Sequence, residues 1–349
     1  MPTSNSVLGA TTPGPDVVSE YSERVKGKII LITGANPGGV GGATATSLAS
    51  ASPKLLILAG RSPAKLAETT NKVKKANPAV DCKSLHLDLG SQASCRTAAK
   101  EILEDHGIPQ IDLLINNAGV MNIPERTLSS EGIEMQFATN HIGHFLFTNL
   151  VFPKIAAAAK MSTPGATRII NLSSRAVVYS PVRFSDWNFT KPEKDLPKEE
   201  HMDQGCRQLW DETEDKPYIP QAAYGQSKTA NVLFSVELNK KFFKDTGIMA
   251  LAVHPGAINS ELGRHIADEK MSMVMEKFKR MAPNMTFKDL DQGCSTTLVA
   301  ALDPKVTPEE VFFADCQIAD WAPKWSTDSE KANQLWALSE QIVGEKFTG

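Results

Sequence analysis

The chain has 349 residues, a formal net charge of -3 at pH 7, and 41% hydrophobic residues. This composition is typical of a globular protein with a full core, and the charge gives no electrostatic basis for a nucleic-acid or anionic-membrane partner. Its five cysteines form no CxxC pair, which indicates reduced thiols inside a cell, so we expect a cytoplasmic location.

Residues 1–25 are rich in Ser, Thr, Pro and Gly and lack the apolar core of a signal peptide. They predict a flexible arm, with the folded domain starting near Lys26. No uninterrupted apolar run approaches the ~18 residues that span a bilayer. We therefore expect no membrane anchor.

From Lys28 onward, short apolar runs alternate with longer amphipathic stretches. The apolar runs predict buried strands at 28–33, 54–59, 112–115, 167–172 and 248–253. The stretches between them predict helices at 42–51, 63–76, 91–106, 131–160 and 224–244. This alternation predicts an α/β fold with a doubly wound parallel sheet, covered by helices on both faces, in one domain of residues 26–349.

Two segments interrupt the alternation. Residues 185–220 are polar, acidic and too long for an ordinary connection, so we expect them to bury little area and to contribute little to stability. They form either an insertion that shapes access to the site or a solvated loop without a role. Residues 264–286 carry five methionines among charges, which fits either plain core or a mobile amphipathic lid.

A glycine-rich turn at 33–42 lies between the first strand and a helix. Glycines at this point let the backbone approach a pyrophosphate and direct a helix N-terminus at it. Glycines also mark simple loops, but the position between strand and helix favours phosphate binding.

The second strand ends at Arg61 and Ser62, where a carboxylate would mark NAD. An arginine and a hydroxyl suit a ribose 2′-phosphate, so the sequence favours NADP, with NAD as the alternative. Arg61 could equally be a surface residue that opens a helix.

Tyr224 and Lys228 lie four residues apart on one predicted helix face. A nearby ammonium lowers the pKa of a tyrosine, which makes it a usable acid and base. This spacing is common by chance. It gains meaning because Ser174, segment 116–119 and segment 254–256 follow strands whose carboxyl ends share one edge of the sheet.

The chain resembles the short-chain dehydrogenase/reductase family over roughly residues 26–344. It has the TGxxx(x)GxG turn, an NNAG, an Asn-Ser-Tyr-Lys tetrad and a PG motif in family order. The stretches NHIGHFLFTNLVFPKI, RIINLSS, AAYGQSKTANVLF and HPGAINSEL are similar to the retinol-dehydrogenase-like branch. The resemblance implies a seven-stranded parallel Rossmann sheet, with a substrate lid at about 260–286.

The resemblance also implies catalytic roles for four residues. Tyr224 would protonate the carbonyl oxygen, and Ser174 would donate a hydrogen bond to the same oxygen. Lys228 would hold the nicotinamide ribose and lower the pKa of Tyr224. Asn140 would anchor a water that links Lys228 to solvent.

The cofactor site that the resemblance implies follows the same edge of the sheet. Because the glycine turn has one residue more than usual, either Gly38 or Gly39 would touch phosphate. Besides Tyr224 and Lys228, the implied cofactor-binding residues are Gly34, Asn36, Gly39, Val40, Gly41, Arg61, Ser62, Asp88, Leu89, Asn117, Ala118, Gly119, Pro255, Gly256, Ile258 and Ser260.

The expected function is an NADPH-dependent oxidoreductase that reduces a ketone or aldehyde of a hydrophobic small molecule, or oxidises the matching alcohol. A redox-neutral isomerase, dehydratase or cyclase is one alternative, and a non-catalytic dinucleotide sensor is another. His141, His144 and His254 lack the neighbours of a metal site, so we expect no metal. The two long predicted helices offer faces for a homodimer.

Overall fold

The computed structural model describes residues 3–258, 261–263, 272–273, 276–277 and 287–348. Among these residues the strands form one sheet with the order β3-β2-β1-β4-β5-β6-β7-β8. The strands are β1 Ile29–Thr33, β2 Leu55–Gly60, β3 Asp81–His86, β4 Leu113–Asn116, β5 Arg168–Leu172, β6 Met249–His254, β7 Phe312–Ala314 and β8 Gln317–Ile318. β1 to β7 are parallel, so the predicted doubly wound fold is confirmed.

The sheet has one strand more than the seven expected. β8 runs antiparallel to β7. The two-residue turn between them, Asp315 and Cys316, has φ angles of 50° and 62°, the left-handed conformation that a tight hairpin needs. A strand of two residues is too short to leave a recognisable pattern in the sequence.

Helices cover both faces of the sheet. They are α1 Gly14–Glu20, α2 Val40–Ala49, α3 Pro63–Ala76, α4 Gln92–Glu104, α5 Met135–Ala159, α6 Gln204–Trp210, α7 Pro220–Leu238, α8 Leu290–Leu302, α9 Lys324–Thr327 and α10 Ser329–Val343. Apolar residues of α4, α5, α7 and α10 form the core on one face. Those of α1, α2, α3 and α8 form the core on the other.

α5 is long and apolar enough, by length and composition, to cross a membrane, with a mean hydropathy of 1.3 over its most apolar window. The sequence predicted no apolar run long enough to span a bilayer, whereas the described part of the chain has one helix of sufficient length and apolar composition. In the structure, 67% of that window is buried inside the protein. Phe137, Phe145 and Phe152 pack in the core beside the sheet. Burial against the sheet therefore accounts for the apolar character of α5.

The N-terminal residues differ from the flexible arm expected, because they pack against the domain. Val17 and Val18 of α1 have no exposed surface, and Gly14 lies against Cys294 of α8. The backbone N–H of Ser4 donates to the Asp303 carboxylate at 2.7 Å. The sequence pattern did not predict this short helix because the residues around it are mostly polar. Its two adjacent valines form its buried face.

The insertion at 185–220 is packed, so the expectation that it buries little area is wrong. Within it, Arg207 contacts both Glu193 and Glu214, and Asp186 forms a buried ion pair at 2.6 Å with Arg183, which lies just before the segment. Asp186 and Glu193 are thus buried, although the sequence pattern suggests that the acids here are solvated, whereas Glu214 is half-exposed. The segment also has an apolar cluster of its own, which includes Phe189, Met202, Leu209, Trp210 and Ile219.

Candidate active site

The segments that follow β1, β2, β3, β4, β5 and β6 lie at the carboxyl edge of the parallel sheet, where doubly wound folds bind their ligands. Each predicted site residue among the described residues belongs to one of these segments or to α2, α5 or α7. Ser260, and most of the lid expected at 260–286, lie outside the described residues.

The glycine turn after β1 is built from close backbone contacts. Gly34 has a φ of +64°, and a Cβ there would lie 2.7 Å from the Ala118 Cα. A Cβ on Gly41 would lie 2.4 Å from the Asn117 Nδ2. Gly39 precedes α2, and a Cβ there would make an ordinary contact with the Asn36 carbonyl oxygen at 3.8 Å. The glycines therefore allow close packing of the turn just before the N-terminus of α2, the kind of helix end that binds phosphate.

Asn36 and Val40 complete this turn. The Asn36 N–H donates to the Gly34 carbonyl at 2.8 Å, and the Asn36 carbonyl accepts from the Gly39 N–H at 3.2 Å. Val40 is the first residue of α2. Asn36 thus braces the turn through its backbone, and Val40 begins the helix whose N-terminus faces the site.

The segment after β4 clamps the glycine turn. The Asn117 Nδ2 donates to the carbonyls of Thr33 at 2.8 Å and Gly34 at 3.0 Å. The Ala118 N–H donates to the Thr33 Oγ1 at 3.0 Å. Two adjacent parallel strands are therefore tied together at their carboxyl ends, which fixes the loop that would carry phosphate.

The residues expected at the adenosine end lie on two neighbouring loops. Arg61 is exposed after β2, while the Ser62 hydroxyl caps α3 by accepting from the Lys65 N–H at 3.4 Å. After β3, the Asp88 Oδ1 accepts from the Gly90 N–H at 3.0 Å, and Leu89 is buried. Arg61 is thus the side chain here that is free to reach a ligand in solvent.

The segment after β6 begins with Pro255 and Gly256. Gly256 has a φ of +106°, and the Lys288 side chain lies where a Cβ would stand. Ile258 forms a parallel backbone bridge with Lys288, and its Cδ1 packs on Gly293 of α8. This segment is therefore held to the fold by both backbone and side-chain contacts.

Tyr224 and Lys228 are both buried on α7, and the Lys228 Nζ lies 5.7 Å from the centre of the Tyr224 ring. Burial raises the pKa of Tyr224, and a hydrogen bond with the Ser174 side chain acts in the opposite direction. Burial lowers the pKa of Lys228 to about 7. The structure thus brings Ser174, Tyr224 and Lys228 together.

Asn140 lies in a π-helical turn of α5, Ala138–Ile142, an irregularity that often marks functional sites. Its Nδ2 donates to the Val120 carbonyl at 2.9 Å and to the Ser227 Oγ at 2.8 Å. Gly119 lies against both the Asn140 Oδ1 and the Lys228 Nζ. Asn140 is therefore held against α7 beside Lys228.

Sequence reasoning missed a buried chain that joins β1 to Asn140. The Thr33 Oγ1 lies 2.9 Å from the His144 Nε2, and the His144 Nδ1 lies 3.1 Å from the Asn140 carbonyl oxygen. A carbonyl only accepts, so Nδ1 carries the proton and Nε2 accepts from the Thr33 hydroxyl. Burial lowers the pKa of His144 to about 4, which keeps the ring neutral. The four-residue spacing of Asn140 and His144, which places them on the same face of a helix, is the feature of the sequence that could have indicated this contact.

Tyr179 was also missed, and it connects the insertion to the site. The negative charge of its ionised form would raise the pKa of Tyr224, and its side chain lies against Gly225. Its ring packs edge-on against Trp210 of α6, with centroids 6.4 Å apart. α6 is therefore anchored beside the start of α7, close to Tyr224.

The histidines have protein partners. His141 contacts the Ser339 hydroxyl at 2.8 Å, and the His254 Nδ1 accepts from the Arg175 N–H at 3.1 Å. Within the described part of the chain, no group of three or more His, Cys, Asp or Glu side chains is placed to hold a metal ion.

Comparisons with known proteins identify the family. A family model described as short chain dehydrogenase matches residues 28–191. Oxidoreductase fscI of Fusarium equiseti is 36% identical over 253 residues, which cover 72% of this chain and 95% of that protein. Human retinol dehydrogenase 13 is 32% identical over 320 residues, covering 92% of this chain and 86% of that protein.

A solved structure shows the same fold. The NADPH-bound carbonyl reductase from chicken fatty liver aligns with a TM-score of 0.56 and 21% identity, over 83% of this chain and 96% of that chain. The chain belongs to the short-chain dehydrogenase/reductase family, in its retinol-dehydrogenase-like branch, and is an NAD(P)-dependent oxidoreductase.

Proposed function

We propose that the protein uses NADPH to reduce a ketone or aldehyde of a hydrophobic small molecule, or NADP to oxidise the matching alcohol. The observation that carries this proposal is the interaction of the Ser174 and Tyr224 side chains at the carboxyl edge of the sheet, with Lys228 beside the Tyr224 ring. This arrangement provides an acid, a second hydroxyl and a cation at one place.

Each of these residues has a distinct task in the proposed reaction. Tyr224 is protonated at neutral pH and is placed to donate that proton to the carbonyl oxygen. Burial raises its pKa, contrary to the lowered pKa expected from Lys228, and this by itself makes the phenol a weaker acid. Ser174 donates a hydrogen bond to the same oxygen, and the Lys228 ammonium stabilises the phenolate that remains. The bound nicotinamide supplies the hydride.

The described residues fit a dinucleotide. The N-terminus of α2, which Gly39 caps, suits the pyrophosphate. Arg61, exposed after β2, suits the 2′-phosphate of NADP, because a guanidinium binds phosphate with two parallel hydrogen bonds.

We expect Arg61→Ala to weaken NADPH binding by roughly a hundredfold, the equivalent of ~2–3 kcal/mol for a charged bidentate contact. NADH affinity should stay nearly constant, because NADH has no 2′-phosphate. Fluorescence titration with both cofactors measures the effect, and Arg96→Ala, an exposed arginine that pairs with Glu345, is the control. Equal weakening of both cofactors, or of neither, would assign the preference to other residues.

The substrate proposal rests on the insertion and the relatives. Tyr179 lies close to Tyr224, and the buried Trp210 packs against the Tyr179 ring, so the surroundings of Tyr224 are aromatic, which suits a hydrophobic substrate. Human retinol dehydrogenase 13 is named for an apolar alcohol. We also propose a cytoplasmic location and a homodimer; cell fractionation and the mass in solution test these two points.

A panel of ketones and aldehydes with NADPH and with NADH tests the activity. We expect carbonyl reduction, read as oxidation of the cofactor, with NADPH preferred and apolar substrates favoured. Substrate turnover without cofactor oxidation would favour an isomerase, dehydratase or cyclase. Cofactor binding without turnover of any compound would favour a dinucleotide sensor.

A further inference from the structure

Asn231 lies three residues beyond Lys228 on α7 and bonds to two groups of the site. Its Nδ2 donates to the Asn140 carbonyl oxygen at 2.7 Å, and its Oδ1 accepts from the Lys228 Nζ at 3.4 Å. We propose that Asn231 is a positioning residue, which bridges Lys228 to the Asn140 backbone and so holds the lysine beside Tyr224. The inference rests on the proposed function.

The Asn140 carbonyl is the anchor of this bridge. It accepts from the Asn231 amide and from the His144 ring, at 2.7 Å and 3.1 Å, so both of its lone pairs have donors. The resemblance to the family implies that Asn140 anchors a water that links Lys228 to solvent. The Asn231 side chain adds a direct connection between Asn140 and Lys228.

The bridge also fixes the direction of the lysine. An ammonium has three N–H donors; one is directed to the Leu172 carbonyl at 2.8 Å and a second to Asn231. With two of its N–H groups directed at these acceptors, Lys228 has its third N–H group left for a partner in the site. Asn231 is only 3% exposed within α7, so its side chain is held in place by its buried surroundings.

Few charged groups adjoin Lys228. Tyr224 lies one turn earlier on α7, and His144 of α5 is near enough for the Lys228 charge to lower its pKa. Burial is the cause that lowers the pKa of Lys228 itself. An oxygen that accepts from the charged form opposes this effect, so a change at position 231 should be visible in the titration of Lys228.

The test uses Asn231→Leu and Asn231→Asp in the full chain, with NADPH bound. Removing the acceptor destabilises the ammonium, so Asn231→Leu should lower the pKa of Lys228 by about one unit, whereas a carboxylate should raise it by a similar amount. NMR of lysines labelled with ¹³C at Cε measures this pKa, and Lys228→Met identifies the signal. The same variants should shift the pH profile of kcat in the two directions, with KM for the carbonyl compound changed less than kcat.

Asn149→Leu is the matched control. Asn149 is similarly buried and donates to the Phe145 carbonyl at 2.8 Å within α5. We expect it to lower stability without moving the Lys228 titration or the pH profile. If Asn231→Leu does not fold, Asn231→Ser replaces it.

The outcomes separate this inference from the proposed function. An unchanged Lys228 pKa in both Asn231 variants would make Asn231 a structural residue and overturn the inference, even in an active enzyme. A parent enzyme that oxidises no NADPH with any carbonyl compound would overturn the proposed function, and the NMR titration would still decide the role of Asn231.

Discussion

Replacing Tyr224 with phenylalanine should reduce turnover by at least the ~10²–10⁴-fold typical of losing a general acid. The substitution removes the Tyr224 hydroxyl, which interacts with Ser174 and whose pKa is raised by burial. The ring remains, so its packing beside Lys228 should persist. NADPH affinity should therefore stay within a few-fold of the parent. Single-turnover kinetics and cofactor titration measure the two effects separately.

Tyr21→Phe is the control for the phenol. Tyr21 is also a buried tyrosine, but its hydroxyl contacts Ser4 at 2.8 Å, on the N-terminal segment. It should leave turnover unchanged. Turnover within a few-fold of the parent for Tyr224→Phe would assign the proton donor to another group.

The second large effect is on stability and lies in the insertion. Arg207→Leu should lower the free energy of unfolding by ~3–5 kcal/mol, the usual cost of leaving a buried charge without its partner. Glu193 has no exposed surface, and Arg207 is its ion-pair partner. Chemical denaturation measures the loss.

Two further variants separate the buried pair from surface charge. Lys194→Ala removes an exposed pair with Asp215 and should change stability little. Adding Glu193→Leu to Arg207→Leu should recover part of the loss, because no unpaired charge then stays buried. If Arg207→Leu is as mild as Lys194→Ala, the insertion is only loosely attached to the domain.

The sequence predicted the strands that are buried on both faces, and the reason is physical. β1 and β5 are apolar along their whole length, so the pattern shows them directly. β3 lies at the edge of the sheet with most of its side chains partly or fully exposed, so no apolar run marks it. The segment containing α8 was not predicted as a helix, although it is almost wholly buried, because no strong strand follows it.

The residues of the site also differ in how far the sequence could predict them. Ser174, Tyr224 and Lys228 could be predicted because their residue types and spacing are specific to one chemistry. Thr33, His144 and Asn231 could not, because their roles depend on hydrogen bonds between residues far apart in the chain. The packing of the insertion was not predicted because the sequence alone does not show whether an acidic residue is buried in an ion pair or exposed to solvent.

The position of α1 sets where a working fragment of this chain can begin. A chain cut at Lys26, where the sequence pattern places the start of the fold, would lose Val17 and Val18. The groove between α2 and α8 that receives them would then be open to water. Exposed apolar surface of this kind promotes self-association. The smallest fragment that stays dispersed at high concentration should therefore keep the residues before the first strand, although they resemble a dispensable tail.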